Sequence, residues 1–341
     1  MRYPFDGGRL VIAARAHDRV GAARDAPDRD TAINMSGKTS DDQKKLSAKD
    51  ITKVLDRYRI ASGDGFKLAD HAPDDLFPAD LVKSCAEDLL QAGVARLAAL
   101  QEKLYANGTW SVLVVLQALD AAGKDSTVKH VMSGVNPQGV TVTSFKAPTA
   151  NELAHDFLWR ISAALPERGK IGVFNRSHYE DVIVGRARPE LLGQSRLPPR
   201  VAQDVRVWER RQDDIVAFER HLANEGTKVL KIFLNVGREE QKKRLLARLD
   251  DPDKTWKFDA GDLKTRALWP AYHEAYQTVI AATATPEAPW FVVPADRKWF
   301  TRWVVVEAII EALSALDLQP PPLTPEDRAA NAQARAALER D

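Results

Sequence analysis

Val112-Leu113-Val114-Val115-Leu116 is an unbroken aliphatic run, and Ala118-Leu119-Asp120-Ala121-Ala122-Gly123-Lys124-Asp125-Ser126-Thr127 follows close behind it. A continuous β-branched run marks a strand buried on both faces of a parallel sheet, since neither face has water to alternate toward. The spacing predicts strand, glycine-containing loop and helix in immediate succession. A phosphate cradle has to sit in that order. Backbone N–H groups of the loop and of the helix N-terminus point at anion oxygens, and Lys124 adds a full positive charge. Gly123 lets a phosphate approach backbone that a Cβ would cover.

The match to G-x-x-x-x-G-K-[ST] is incomplete. Ala118 stands where the first glycine belongs, and Asp125 replaces the hydroxyl residue that ordinarily reaches Mg²⁺. Gly-Lys in a solvated turn would share the letters, but the strand–loop–helix setting favours the cradle. Asp120 should repel phosphate unless it holds a cation, so a carboxylate here points to Mg²⁺ bridging to phosphate oxygens. Helix capping is the plainer job for Asp120, and its place three residues before the glycine argues against that.

Outward from this loop, apolar runs at Val140 to Phe145, Lys170 to Phe174, Val229 to Val236 and Trp290 to Val293 read as further buried strands. Helical periodicity runs from about Asp80 to Tyr105, interrupted at Gly93 and stopped by Gly108. Thr149 and Glu152 have capping-box spacing ahead of a helix expected over Leu153 to Leu165. Val201 to Asn224, Leu263 to Ala282 and Trp299 to Leu316 also read as helices. Strand–helix alternation predicts an α/β fold, a parallel sheet with helices on both faces. No internal repeat is present. Pro320-Pro321-Pro322 opens a carboxy-terminal tail over residues 319–341, with room for a loosely docked helix.

Two more clusters carry charge. Phe174-Asn175-Arg176-Ser177-His178-Tyr179-Glu180-Asp181 follows a strand and falls at the Walker B location, with Asn175 where aspartate is usual. Arg176 has the planar fork that binds phosphate bidentately, and Arg186 and Arg188 extend a phosphate track. His178 reads as a packed residue, since phosphoryl transfer needs positioning and charge more than a strong base. The third cluster is Lys242, Lys243, Arg244 and Arg248, then Asp251-Pro252-Asp253-Lys254-Thr255-Trp256-Lys257. Helix, proline turn and helix read as a lid over residues 240–270 that closes on phosphates and excludes water. Trp256 predicts a packed turn around Lys254 and Lys257.

The chain has 341 residues, 44% hydrophobic and 28% charged, with a formal net charge of +1. That is a globular composition, and it excludes an overall basic field, so nucleic acid is not the expected partner. Cys85 is the single cysteine, which excludes an internal disulfide and fits a reducing, cytoplasmic setting. No stretch reaches the ~20 apolar residues of a spanning helix. Residues before Met35 carry arginine but no lysine, so the expectation is that translation starts at Met35, or that a disordered tail precedes it. Little order is expected before about residue 55, which gives a segment 1–54 and a phosphotransferase domain over 55–318.

Taken together, the Asp120-Ala121-Ala122-Gly123-Lys124-Asp125, Phe174 to Asp181 and Asp251 to Lys257 motifs resemble the polyphosphate kinase 2 family. The resemblance covers about Tyr58 to Leu316. It implies a P-loop kinase-like core with a helical lid, and Mg²⁺-dependent, reversible transfer of the terminal phosphate of inorganic polyphosphate to a nucleotide. It also implies a homodimer or homotetramer. Asn175-Arg176-Ser177, Gly123-Lys124-Asp125 and Ala288 to Pro294 are similar to the subgroup that phosphorylates both AMP and ADP, with guanine nucleotides as further acceptors. Ser126 departs from a common glycine.

By this resemblance Asp120 is the magnesium-linked catalytic carboxylate, and Lys124 and Arg176 hold the transferring group. Ala121, Ala122, Gly123, Asp125, Ser126, Thr127, Lys129, Arg186 and Arg188 line the phosphates. Arg244, Arg248, Lys254 and Lys257 act from the lid, and Asn175, Tyr179 and Glu180 support the site from behind. An ATP-dependent nucleoside monophosphate kinase would share the fold. A catalytically silent regulator that binds polyanions or nucleotides is the reading of a different class.

Overall fold

The computed structural model describes residues 46–194 and 196–340, so the expectation about Met35 lies outside the described residues. The first element overturns the expectation of little order before residue 55. Helix α1 (Ala48–Tyr58) opens on a capping box in which the Asp50 N–H donates to Ser47 Oγ and the Ser47 N–H to Asp50 Oδ2. Its buried residues Val54, Leu55 and Tyr58 recur at helical spacing, a short signal inside a polar stretch. β1 (Arg59–Ile60) then pairs antiparallel with the strand at residues 290–294.

Helix α2 (Lys83–Asn107) ends at Gly108, whose φ of 65° is the left-handed turn that stops it. β2 (Ser111–Gln117) is buried at every residue and leads through the phosphate loop into α3 (Lys124–Val131). β3 (Val140–Ser144) follows. The helix expected over 153–165 is broken: the capping-box bonds of Thr149 and Glu152 form, but they start only a 3₁₀ turn, Glu152–Ala154. Asp156 Oδ1 then accepts the Leu158 N–H, a local bond that competes with the helical ladder, and only the short α4 (Trp159–Ser162) resumes.

β4 (Ile171–Asn175) runs into α5 (Tyr179–Ala187). The short α6 (Pro199–Ala202) and long α7 (Val207–Asn224) lead to β5 (Thr227–Asn235). The lid region comprises α8 (Arg238–Asp250), a turn, and α9 (Ala260–Ala267), after which α10 (Trp269–Thr283) returns to β6 (Trp290–Pro294). α11 (Lys298–Ser314) closes the core. α12 (Pro325–Leu338) buries no residue, so the tail is helical but not docked by apolar contacts.

The sheet order is β1-β6-β5-β2-β4-β3, parallel throughout except for β1. β2 lies between β4 and β5, so the chain leaves it in one direction and later crosses to its other side. That reversal opens a crevice at the carboxyl ends of the strands, where the phosphate loop lies. α11 packs across α2 and α3, while α5, α7 and α10 associate with one another and α7 with β5. Gly93 sits where α2 meets α11: a Cβ there would stand 2.8 Å from Val306 Cγ1, so the interruption in the periodicity is a close approach. Among the described residues no helix is long and apolar enough to cross a membrane.

Candidate active site

The phosphate loop is held by its own lysine. Lys124 is buried, and its ammonium donates to the carbonyls of Ala118 (2.8 Å) and Leu119 (3.4 Å). Burial first, and then the Arg176 charge, lowers its pKa, while Asp120, Glu180 and Asp125 oppose the shift. The glycine requirement lies where the backbone turns left-handed. Gly123 has φ 112°, and a Cβ there would meet nothing in the protein closer than Arg244 Nη1 at 4.0 Å. Ala121 takes φ 60° despite its Cβ, a conformation that costs an L-residue about 1–2 kcal/mol.

Arg176, at the end of β4, also has a positive φ, 65°. Its backbone N–H continues the ladder to Leu116 O, and its guanidinium spans Asp120 Oδ1 at 2.7 Å and Glu180 Oε2 at 3.2 Å. Glu180 raises the Arg176 pKa most; burial opposes it and Asp120 adds to it. Two strained residues thus frame one carboxylate–guanidinium contact, a concentration typical of functional sites. Asn175 Nδ2 donates to Asp125 Oδ1 at 2.6 Å. That bond links the two departures from the usual motifs, since aspartate at 175 would face the Asp125 carboxylate.

The lid is anchored at its base. Arg244 is buried, donating from Nη1 to the carbonyls of Ala121 (3.2 Å) and Ala122 (2.8 Å) and from Nη2 to Ala295 O (2.7 Å). This corrects its expected place among mobile lid cations: its donors are committed to backbone carbonyls. Gln241, which the motifs did not reveal, donates to Asp120 O at 3.0 Å and accepts from Arg266. Arg248 pairs with Asp262 at 3.4 Å. At the tip, Lys254 is bonded to Asp251 and Lys257 lies over the Trp256 ring at 5.1 Å. Trp256 is 77% exposed, so the packed turn inferred from it is not present.

Other cations were legible only from the fold. Arg302 on α11 donates to Ser126 Oγ at 2.7 Å. Partial burial and then the charges of Arg244 and Arg302 lower the Lys298 pKa, which marks positive charge gathered beside the loop. Thr127 is buried in the first turn of α3, and Lys129 on the same helix is exposed, with no ion pair among the described residues. Arg186 and Arg188 are not free for a phosphate track: Arg186 pairs with Glu209 (2.7 Å) and Arg188 with Glu190 (3.1 Å).

Behind the site lies a dry network. Tyr179 OH donates to Glu219 Oε1 at 2.8 Å, and Lys231 Nζ donates to Glu219 Oε2 and to Thr283 O, both at 2.6 Å. His178 is fully buried, as expected of a packed residue, with Nε2 3.7 Å from Glu219 Oε1. No local motif announces Glu219 or Lys231; only the register that puts α7 over β5 brings them together.

Among the described residues no three His, Cys, Asp or Glu side chains converge as metal ligands. Mg²⁺ in phosphoryl transfer asks for less, one or two carboxylates with substrate phosphates and water completing its shell. Asp120 is partly exposed at the loop, and Asp262 on α9 feels its charge: burial, then Asp120, raises the Asp262 pKa. That donor set fits the ion.

The pattern of the Polyphosphate kinase 2 (PPK2) family matches residues 81–321. The chain is 45% identical over 267 residues to the AMP/ADP-polyphosphate phosphotransferase of Meiothermus ruber, covering 78% of this chain and 96% of that protein. It is 42% identical over 282 residues to the ADP-polyphosphate phosphotransferase of Rhodopseudomonas palustris, covering 83% and 97%. The crystal structure of polyphosphate kinase 2 from Arthrobacter aurescens TC1 superposes with a TM-score of 0.74 at 43% identity, over 84% of this chain and 98% of that one. With the phosphate loop, the Arg176 turn and the lid base all inside the matched span, the chain belongs to the polyphosphate kinase 2 family.

Proposed function

We infer that this protein transfers the terminal phosphate of inorganic polyphosphate to AMP and ADP, giving ADP and ATP. The observation that carries the chemistry is the contact of Arg176 with Asp120 at the mouth of a phosphate loop whose lysine is already buried in place. A nucleotide phosphate oxygen attacks the terminal phosphorus in line, the bridging oxygen leaves with the shortened chain, and no covalent enzyme intermediate is needed. One phosphoanhydride replaces another, so concentrations set the direction.

Each residue then has a task. Backbone N–H groups at 123–126, at the start of α3, cradle the phosphates. Lys124 exchanges its carbonyl partners for phosphate oxygens, and Arg176 turns from Asp120 to the transferring group. Charge spread over the equatorial oxygens is met by these fixed cations, the main source of rate in such chemistry. Arg302, Lys298 and Lys129 offer cations for the chain beyond the loop. Lys254 and Lys257 cover it from the lid tip. Asp120, with Asp262 near it, would hold Mg²⁺, which neutralises phosphate charge when bound. Asn175, Tyr179 and Glu180 hold the loop and the arginine in place.

The family resemblance further supports a cytoplasmic homodimer or homotetramer and guanine nucleotides as further acceptors. A donor swap tests the central claim. Purified protein with Mg²⁺, long-chain polyphosphate and AMP, without ATP, should yield ADP and then ATP by chromatography. An ATP-dependent monophosphate kinase would yield neither from that mixture, and neither would an inactive regulator.

A further inference from the structure

The carbonyls of residues 118–122 lead into Gly123, and a side chain donates to every one of them. Lys124 takes those of Ala118 and Leu119 from within the loop. Arg244 takes those of Ala121 and Ala122 from α8. The carbonyl in between, that of Asp120, accepts from Gln241 Nε2 at 3.0 Å. Gln241 is fully buried and stands three residues before Arg244, so one face of α8 supplies both donors.

The Asp120–Ala121 peptide has a reason to turn over. Ala121 has a φ of 60°, a left-handed value that its Cβ disfavours. Turning this one planar peptide by half a revolution changes Asp120 ψ and Ala121 φ together, and would carry φ to about −120°, in the broad β region. The rest of the loop could stay in place. The Asp120 carbonyl would then lie where the Ala121 N–H now points, reversing a peptide dipole in a loop that binds anions. The bond from Gln241 is the one this rotation has to break.

The Gln241 amide is itself held in one orientation. Its Oε1 accepts from Arg266 Nη1 at 3.0 Å, and a guanidinium can only donate, so Nε2 is the end left facing Asp120 O. Arg266 belongs to α9. Its Nη1 also donates to Arg238 O at 2.6 Å, on the first residue of α8, and its guanidinium lies over the Trp269 ring at 6.0 Å. The setting of the loop peptide thus depends on how α9 sits against α8.

We propose that Gln241 is a positioning residue that latches the Asp120–Ala121 peptide in its anion-binding orientation, and that Arg266 sets the latch from α9. The assignment rests on the transfer reading for what the loop binds, but it requires only phosphate binding, not transfer. Neither side chain takes part in moving the phosphoryl group.

Gln241→Met keeps the bulk of the side chain and removes both bonds. A loop latched for only a fraction of the time binds phosphate more weakly by that fraction, and saturating ligand restores it. Calorimetric titration of the full chain with tripolyphosphate should therefore show affinity about tenfold lower. The KM for polyphosphate should rise by a like factor, while kcat stays within about threefold. Gln241→Glu keeps an acceptor for Arg266 but offers Asp120 O no donor, and should lose at least as much. Ala121→Gly is the background that separates a latch from a packing contact. Glycine takes φ 60° without penalty, so the drive to turn over disappears, and the loss caused by Gln241→Met should shrink severalfold there. Arg266→Met should reproduce part of the loss and add little to Gln241→Met.

An equal loss with alanine or glycine at position 121 would overturn the proposal. So would unchanged tripolyphosphate affinity, or a fall in kcat at constant KM. Losses from Arg266→Met and Gln241→Met that multiply would overturn the link to α9. If Gln241→Met fails to fold, Gln241→Glu is compared in the two backgrounds instead. A glycine-dependent loss of tripolyphosphate affinity in a protein that transfers no phosphate would sink the transfer reading and leave the latch standing; transfer with an equal loss in both backgrounds would do the reverse.

Discussion

Asp120, Arg176 and Glu180 form one charge network, Tyr179, Glu219 and Lys231 another, and the two meet at neighbouring residues of α5. In the first, the Arg176 side chain is 40% exposed and Asp120 18%, so water and ligands reach both. In the second, Lys231 and Glu219 are 0% and 3% exposed, and every bond is internal. The difference is one of exchangeability. A guanidinium at the mouth can trade a carboxylate for a phosphate because solvent screens the intermediate arrangement. A dry ammonium has nothing to trade with, so its network holds Tyr179, and through it the start of α5, in one place.

The largest break in the comparison should come from the dry side. Lys231→Met leaves the Glu219 carboxylate buried without its cation, which costs about 3–5 kcal/mol. Urea unfolding should show that loss, and the double variant Lys231→Met/Glu219→Leu should recover most of it. A single variant as stable as the parent would mean that Glu219 finds another partner. The same kind of change at the mouth should behave in the opposite way. Asp120→Asn sits in a screened, partly exposed pair and should alter stability by less than about 1 kcal/mol. Turnover should drop about 10²–10³-fold, the cost of removing a group that organises transition-state charge. Wild-type turnover in that variant would take Asp120 out of the mechanism.

The two networks were not equally legible in the sequence. The mouth is made of residues three to eight apart in two short motifs, so its local pattern, a lysine after a glycine and an arginine after a buried strand, identified it. Arg244 was visible as a cation but not as a clip, because its partners are carbonyls of Ala121, Ala122 and Ala295, and backbone acceptors leave no mark on residue type. Lys231 read as one polar letter inside a buried strand. Its partner Glu219 faces it only because α7 packs on β5. The helix expected over 153–165 failed for a third reason: a correct cap was followed by Asp156, whose side chain bonded the backbone first. The sheet and most helices follow from periodicity and the phosphate loop from its motif; the Arg244 clip and the dry network follow from tertiary register.

The smallest effect sharpens the comparison through its two lysines, both lowered in pKa by burial before any other cause. Lys124 is bonded to neutral carbonyls of the phosphate loop, whereas Lys231 is bonded to the Glu219 carboxylate. With its folded pKa below the free value of 10.5, Lys124 binds its proton less readily in the native protein than in the unfolded chain. Its contribution to stability therefore rises with pH across the window between those two pKa values. Phosphate affinity moves the other way, since a bound phosphate needs the ammonium. The kcat/KM for polyphosphate, which reports the free enzyme, should fall on the alkaline side with an apparent pKa below 10.5 and a limiting slope of about one decade per pH unit. Lys124→Arg should remove that limb even where it lowers the plateau, because a guanidinium does not deprotonate in this range. The double variant Lys231→Met/Glu219→Leu should leave the limb in place. An alkaline limb that survives Lys124→Arg and vanishes in the double variant would exchange the roles assigned to the two lysines, and the buried pair would then be the group that responds to substrate.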